Sequence, residues 1–119
     1  MEWSVEFTNE FGDWFRGLDD DAQRAVEAAI EKLQEIGMAL GRPFVDTLTS
    51  SRLANMKELR PMGGNIRVLF AFDPRRTAIL LLGGDKTGQW QAWYREAIPV
   101  AEQLYEVYLA ELQQEGQLP

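Results

Sequence analysis

A chain of 119 residues with 45% apolar side chains has the size and composition of one packed domain. It contains neither cysteine nor histidine, which excludes a disulfide framework, a thiolate metal site, a cysteine nucleophile and imidazole acid–base chemistry. Any catalysis must therefore use Lys, Arg, Tyr, Asp or Glu, and a formal charge of -7 argues at first sight against a polyanionic partner.

At the N-terminus, Trp3, Val5 and Phe7 alternate with Glu2, Ser4 and Glu6, which predicts a strand over Glu2 to Phe7. Thr8 or Asn9 can cap a short helix whose apolar residues Phe11, Trp14, Phe15 and Leu18 recur at spacings of three and four. Asp19, Asp20 and Asp21 suit the positive end of a second helix, with a stripe of Ala22, Val26, Ala29, Ile30, Leu33 and Ile36 and a stop at Gly37. A loop is expected from Gly41 to Ala54, where periodicity is lost. Three strands follow, Met56 to Arg60, Asn65 to Phe72 and Thr77 to Leu82, with turns at Pro61 to Gly64 and Asp73 to Arg76. Gly83 and Gly84 are expected to end the third of these, which is apolar on both faces as a central strand should be. A short aromatic helix over Gln89 to Ala97 and a final helix opened by Pro99 complete the order β-α-α-β-β-β-α. No repeat, linker or second domain is visible, so one domain over residues 1–119 is expected. No targeting segment or apolar run of bilayer-spanning length is visible either, and a cytoplasmic protein is expected.

The net charge conceals a division. Met1 to Gly41 holds ten acidic and three basic residues, and Glu96 to Pro119 five acidic and none basic. Arg42 to Arg95 holds nine basic residues against four acidic ones, so the middle of the chain is positive. A single positive patch of Lys57, Arg60, Arg67, Lys86 and Arg95 is expected from this pattern.

The run Met56-Lys57-Glu58-Leu59-Arg60, then Ile66-Arg67-Val68-Leu69-Phe70-Ala71-Phe72, then a strand leading into Gly84-Asp85-Lys86, resembles the phage-derived HigB-like toxins of the RelE/ParE superfamily. Those proteins show a Glu-Leu-Arg strand, an Arg-bearing strand and a lysine after the last strand. The likeness covers Trp3 to Leu112, and its specific part is Lys57 to Arg95. It implies an α+β, RelE-like fold with a twisted, mostly antiparallel sheet and helices packed on one face. It also implies a type II toxin, a ribosome-dependent mRNA endonuclease that inhibits translation, held inactive by a cognate helix-turn-helix (HigA-like) antitoxin, with no membrane partner. The carry-over rests on Glu58 to Arg60, Arg67 and Lys86; the chain departs from the family in its lack of histidine and its acidity.

Metal-independent cleavage of RNA by its own 2′-hydroxyl needs a base, an anion stabiliser and an acid, and no cofactor. Arg60 and Arg67 are the candidate anion stabilisers, because guanidinium groups match phosphate oxygens in pairs. Lys86, beside a flexible strand end, is a candidate whose amine a cationic neighbourhood would depress, and Tyr94 supplies a phenol as acid or base. Lys57, Trp90 and Arg95 are candidates for RNA binding through charge and stacking, with Trp93 expected in the core and Trp90 exposed. Glu58 is expected chiefly to orient Arg60. Two other readings stay open at this point: a gyrase poison like the ParE branch, which has the same fold without a nuclease site, and a non-catalytic interaction module whose acidic flanks bind a basic partner.

Overall fold

Successive residues of a strand face opposite sides of a sheet, so a strand apolar at consecutive positions must be covered on both. The protein, described here by a computed structural model covering residues 2–88 and 90–119, obeys this requirement. The side chain of Trp90 lies outside the described residues, and the expectation for it with it. Strands β1 (Val5–Phe7), β2 (Val45–Thr47), β3 (Lys57–Leu59), β4 (Ile66–Phe72) and β5 (Ala78–Asp85) form one sheet in the order β1-β5-β4-β3-β2. β1 runs parallel to β5, and the remaining pairs are antiparallel.

Three helices join them: α1 (Asn9–Arg16), α2 (Asp20–Ile36) and α3 (Trp90–Gln114). The Thr8 hydroxyl caps α1 by accepting from the Phe11 backbone N–H at 3.1 Å. The Asp19 carboxylate caps α2 by accepting from that of Ala22 at 2.8 Å. Val68, Phe70, Phe72, Ala78 and Leu80 pack against Phe11, Val26 and Leu33 of α1 and α2. Leu69, Ala71, Ile79 and Leu81 point the other way, onto Ala97, Ile98, Ala101 and Tyr105 of α3. The α+β class and the mostly antiparallel sheet are as expected. The expectation of helices on one face holds for α1 and α2, while α3 lies across the other face, because β4 and β5 are apolar on both sides.

Three local expectations are corrected. β2 lies inside the expected loop; at three residues it is too short to show alternation. The two expected C-terminal helices are one, with Pro99 in its interior. Ala97, Ile98 and Ala101 bury α3 against the sheet on both sides of the proline, which outweighs the hydrogen bond its missing N–H forfeits. Gly83 and Gly84 do not end β5, which continues to Asp85. Each gives up its Cβ to a tryptophan: one built on Gly83 would stand 2.2 Å from the Trp14 ring, and one on Gly84 2.3 Å from Trp93 Nε1.

β5 also carries a bulge. Leu69 pairs with Leu82 but Phe70 with Leu80, which leaves Leu81 as the extra residue. Leu81 and Leu82 both pack on the α3 side. The alternation of β5 is thereby reversed beyond them, so Gly83 meets α1, and Gly84 meets α3. Among the described residues no helix is long and apolar enough to cross a membrane.

Candidate functional site

Strand parity brings the site together. Glu58 pairs with Leu69, whose side chain lies under α3, so Glu58 and Arg60 face α3. Arg67 pairs with Gly84 on the same face, and the reversed phase of β5 adds Lys86. Tyr94, in the first turns of α3, closes the cluster from above.

Glu58 is its centre and is buried, with 2% exposure. The Tyr94 hydroxyl donates to Glu58 Oε1 at 2.5 Å. Arg60 donates to Glu58 Oε2 through Nε at 3.2 Å and Nη2 at 3.0 Å, and through Nη2 to Asp46 Oδ2 at 3.3 Å. Arg67 Nη1 donates to the backbone carbonyl of Ile66 at 2.8 Å, which fixes the plane of the guanidinium. Arg67 Nε stands 3.7 Å from Glu58 Oε1 and is buried without a hydrogen-bond partner among the described residues. A buried donor of this kind is unfavourable unless something else meets it.

The surroundings shift two groups. Lys86 is only 1% exposed; burial first, and then Arg67 and Arg60, hold its ammonium below the ordinary lysine range, with Glu58 opposing them. Burial and the hydrogen bond to Glu58 push the Tyr94 phenol up to about 12, so it keeps its proton at neutral pH. Beside the cluster lies a cleft of about 750 Å3, bounded by Thr47, Thr49, Glu58, Gln91, Tyr94 and Arg95 among others.

Of the residues singled out in the sequence, Arg60, Arg67, Lys86 and Tyr94 converge, and Arg95 is exposed on the wall of the cleft. Lys57 does not join them. It pairs with Phe70 on the α1–α2 face, and its amine donates to Thr47 Oγ1 at 3.3 Å. The expected five-residue positive patch is therefore corrected: Lys57 lies on the other face, and a carboxylate sits at the centre. Trp93 is half-buried and packs edge-on against Tyr94 at 5.0 Å between ring centroids. Glu58 holds Tyr94 as well as Arg60, a larger part than its place in the sequence suggested, and Asp46 joins Arg60 without a sequence signal. The signal for Glu58 was a lone acid between Lys57 and Arg60 in a strand.

This arrangement sits on a known fold. The isolated Escherichia coli RelE toxin superposes with a TM-score of 0.60 at 10% identity, over 82% of this chain and 96% of that one. A chain of the archaeal RelE-RelB complex from Pyrococcus horikoshii OT3 gives 0.59 at 15% identity, over 74% of this chain and 99% of that one. The fold is thus that of RelE-like proteins. In sequence, residues 13–106 match the family described as Phage derived protein Gp49-like (DUF891). "Putative toxin HigB3" of Mycobacterium tuberculosis is 56% identical over 97 residues, 82% of this chain and 85% of that protein. "Putative toxin HigB2" of the same organism is 48% identical over 103 residues, which cover 84% of this chain but 51% of that protein, so the chain spans about half its length. The chain belongs to the Gp49-like family, with HigB-like relatives, and carries a RelE-like fold.

Proposed function

We propose that the protein is the toxin of a type II toxin–antitoxin pair and acts as a metal-independent endoribonuclease on ribosome-bound mRNA. Its partner in this reading is a helix-turn-helix, HigA-like antitoxin, and it acts in the cytoplasm. The observation that carries the reading is the convergence of Arg60, Arg67, Lys86 and Tyr94 next to an open cleft, with Arg67 Nε buried and, among the described residues, making no hydrogen bond. A phosphate oxygen is an acceptor of the right charge for it.

In the proposed reaction the neutral Lys86 amine takes the proton of a ribose 2′-hydroxyl, whose oxygen attacks the adjacent phosphorus. Burial of Lys86 raises the fraction of neutral amine near neutral pH. Arg60 and Arg67 hold the non-bridging oxygens as negative charge builds on them. Tyr94 gives its phenolic proton to the departing 5′-oxygen, and the bond from phosphorus to that oxygen breaks. The products are a 2′,3′-cyclic phosphate and a 5′-hydroxyl, and solvent returns both side chains to their starting states. Glu58 holds Arg60 and Tyr94 in place. Arg95 and Trp90 bind flanking RNA.

Programmed ribosomes given the purified protein should yield mRNA fragments that end in 2′,3′-cyclic phosphate and begin with 5′-hydroxyl. Intact mRNA, or fragments with 5′-phosphate, would refute the reaction.

A further inference from the structure

Ile79 and Leu81 face α3. Unbroken alternation would send residues 83 and 85 to that face and turn Lys86 toward α1 and α2. The extra residue at Leu81 reverses this, and Gly84 and Lys86 face Trp93, Arg67 and Glu58 instead. A bulge leaves a backbone group out of the ladder, and a buried carbonyl without a donor is unfavourable. Here the donor is Thr8. Its hydroxyl donates to the Leu81 carbonyl at 2.7 Å while accepting from the Phe11 N–H at 3.1 Å, and its own N–H donates to the Leu80 carbonyl at 3.0 Å. Thr8 is 6% exposed, and a simple helix cap would explain its bond to Phe11 but not its bond to Leu81.

We propose that Thr8 is a positioning residue for Lys86: its hydroxyl holds the bulge at Leu81, and the bulge turns Lys86 into the cluster. The importance for cleavage rests on the role given to Lys86 above; the positioning itself does not.

The test uses Thr8→Val, which keeps the shape and loses the hydroxyl, and Thr8→Ser, which keeps the hydroxyl. The chain has three lysines, Lys32, Lys57 and Lys86, and their Cε resonances are assigned in 13C NMR by single Lys→Arg replacements of Lys32 and Lys57. In Thr8→Val the Lys86 titration should move up toward that of an ordinary lysine while Lys32 and Lys57 stay put. Single-turnover mRNA cleavage should fall on the order of tenfold or more, since small displacements of a reacting group are costly. Thr8→Ser should restore both. If Thr8→Val does not fold, Thr8→Ala, with the hydroxyl also gone, is read the same way. An unmoved Lys86 titration in a folded hydroxyl-less variant overturns the proposal, whatever its stability. A moved titration with cleavage unchanged, together with full activity of Lys86→Met, leaves the positioning intact and removes Lys86 from the reaction instead.

Discussion

Tyr94 and Lys86 show how one buried cluster shifts two neighbouring groups in opposite directions. Burial and the hydrogen bond donated to Glu58 raise the Tyr94 phenol to about 12, while burial and the two arginines lower Lys86 against the opposing pull of Glu58. A phenol that retains its proton suits the acid, and an amine that sheds one suits the base. Tyr94→Phe deletes that proton and leaves Glu58 with one donor fewer. Cleavage should fall by about a hundred-fold, in the usual range for a lost acid, with little change in ribosome affinity. Single-turnover and binding measurements side by side check this, and equal losses in both would move Tyr94 from chemistry to binding.

At the scale of elements, the two glycines of β5 matter as much as its apolar residues. Gly84 lets Trp93 lie against the strand, and Trp93 in turn packs against Tyr94. Gly84→Ala must displace the indole ring, because the added methyl would stand 2.3 Å from Nε1. We expect a loss of about 2 kcal/mol by overpacking, measurable as a lower midpoint in urea unfolding. An unchanged midpoint would contradict the packing described. The sequence made β3, β4 and the first two helices legible, since alternation and helical spacing in those segments are decided locally. It did not reveal β2, the continuity of α3 or the extension of β5. Those outcomes depend on contacts between distant residues: β2 on pairing with β3, Pro99 on burial of its helical neighbours, Gly83 and Gly84 on Trp14 and Trp93. Arg60, Arg67, Lys86 and Tyr94 could be chosen from residue type and motif, and these four do converge. Lys57 failed because strand parity, a matter of one residue, sets its face, and Glu58 was understated because its burial depends on α3.

For the whole molecule, stability should fall in alkali. The chain has three tyrosines, and Tyr94, Tyr105 and Tyr108 are all raised above the ordinary phenol range, chiefly by burial. Unfolded phenols ionise near about 10, so above that pH the native state binds more protons than the unfolded one, and stability declines as pH rises. Lys86 works in the opposite sense: lowered in the fold, it gives stability that increases with pH between its native value and about 10.5. Three phenols against one amine leave a net fall from pH 10 upward, to be read from urea unfolding at pH 9 and 11 together with tyrosinate absorbance. Tyrosinate forming in the folded protein at or below the pH at which free phenols ionise would contradict it. Charge is also organised at this scale, with acid concentrated in Met1 to Gly41 and Glu96 to Pro119 and base between them. Lys57, on the α1–α2 face, can contribute long-range attraction to RNA but no contact within the cluster.

The central claim is that Arg67 meets a phosphate whose charge grows during the reaction, and single-turnover cleavage of ribosome-bound mRNA at saturating protein tests it most directly. Arg67→Ala should cut at least on the order of a hundred-fold more slowly, the usual cost of one transition-state donor. Arg67→Lys should recover little, since an ammonium cannot grip two oxygens in one plane. Lys57→Ala should leave this rate unchanged and weaken binding in a salt-dependent way. Cleavage by Arg67→Ala at the wild-type rate would contradict the account.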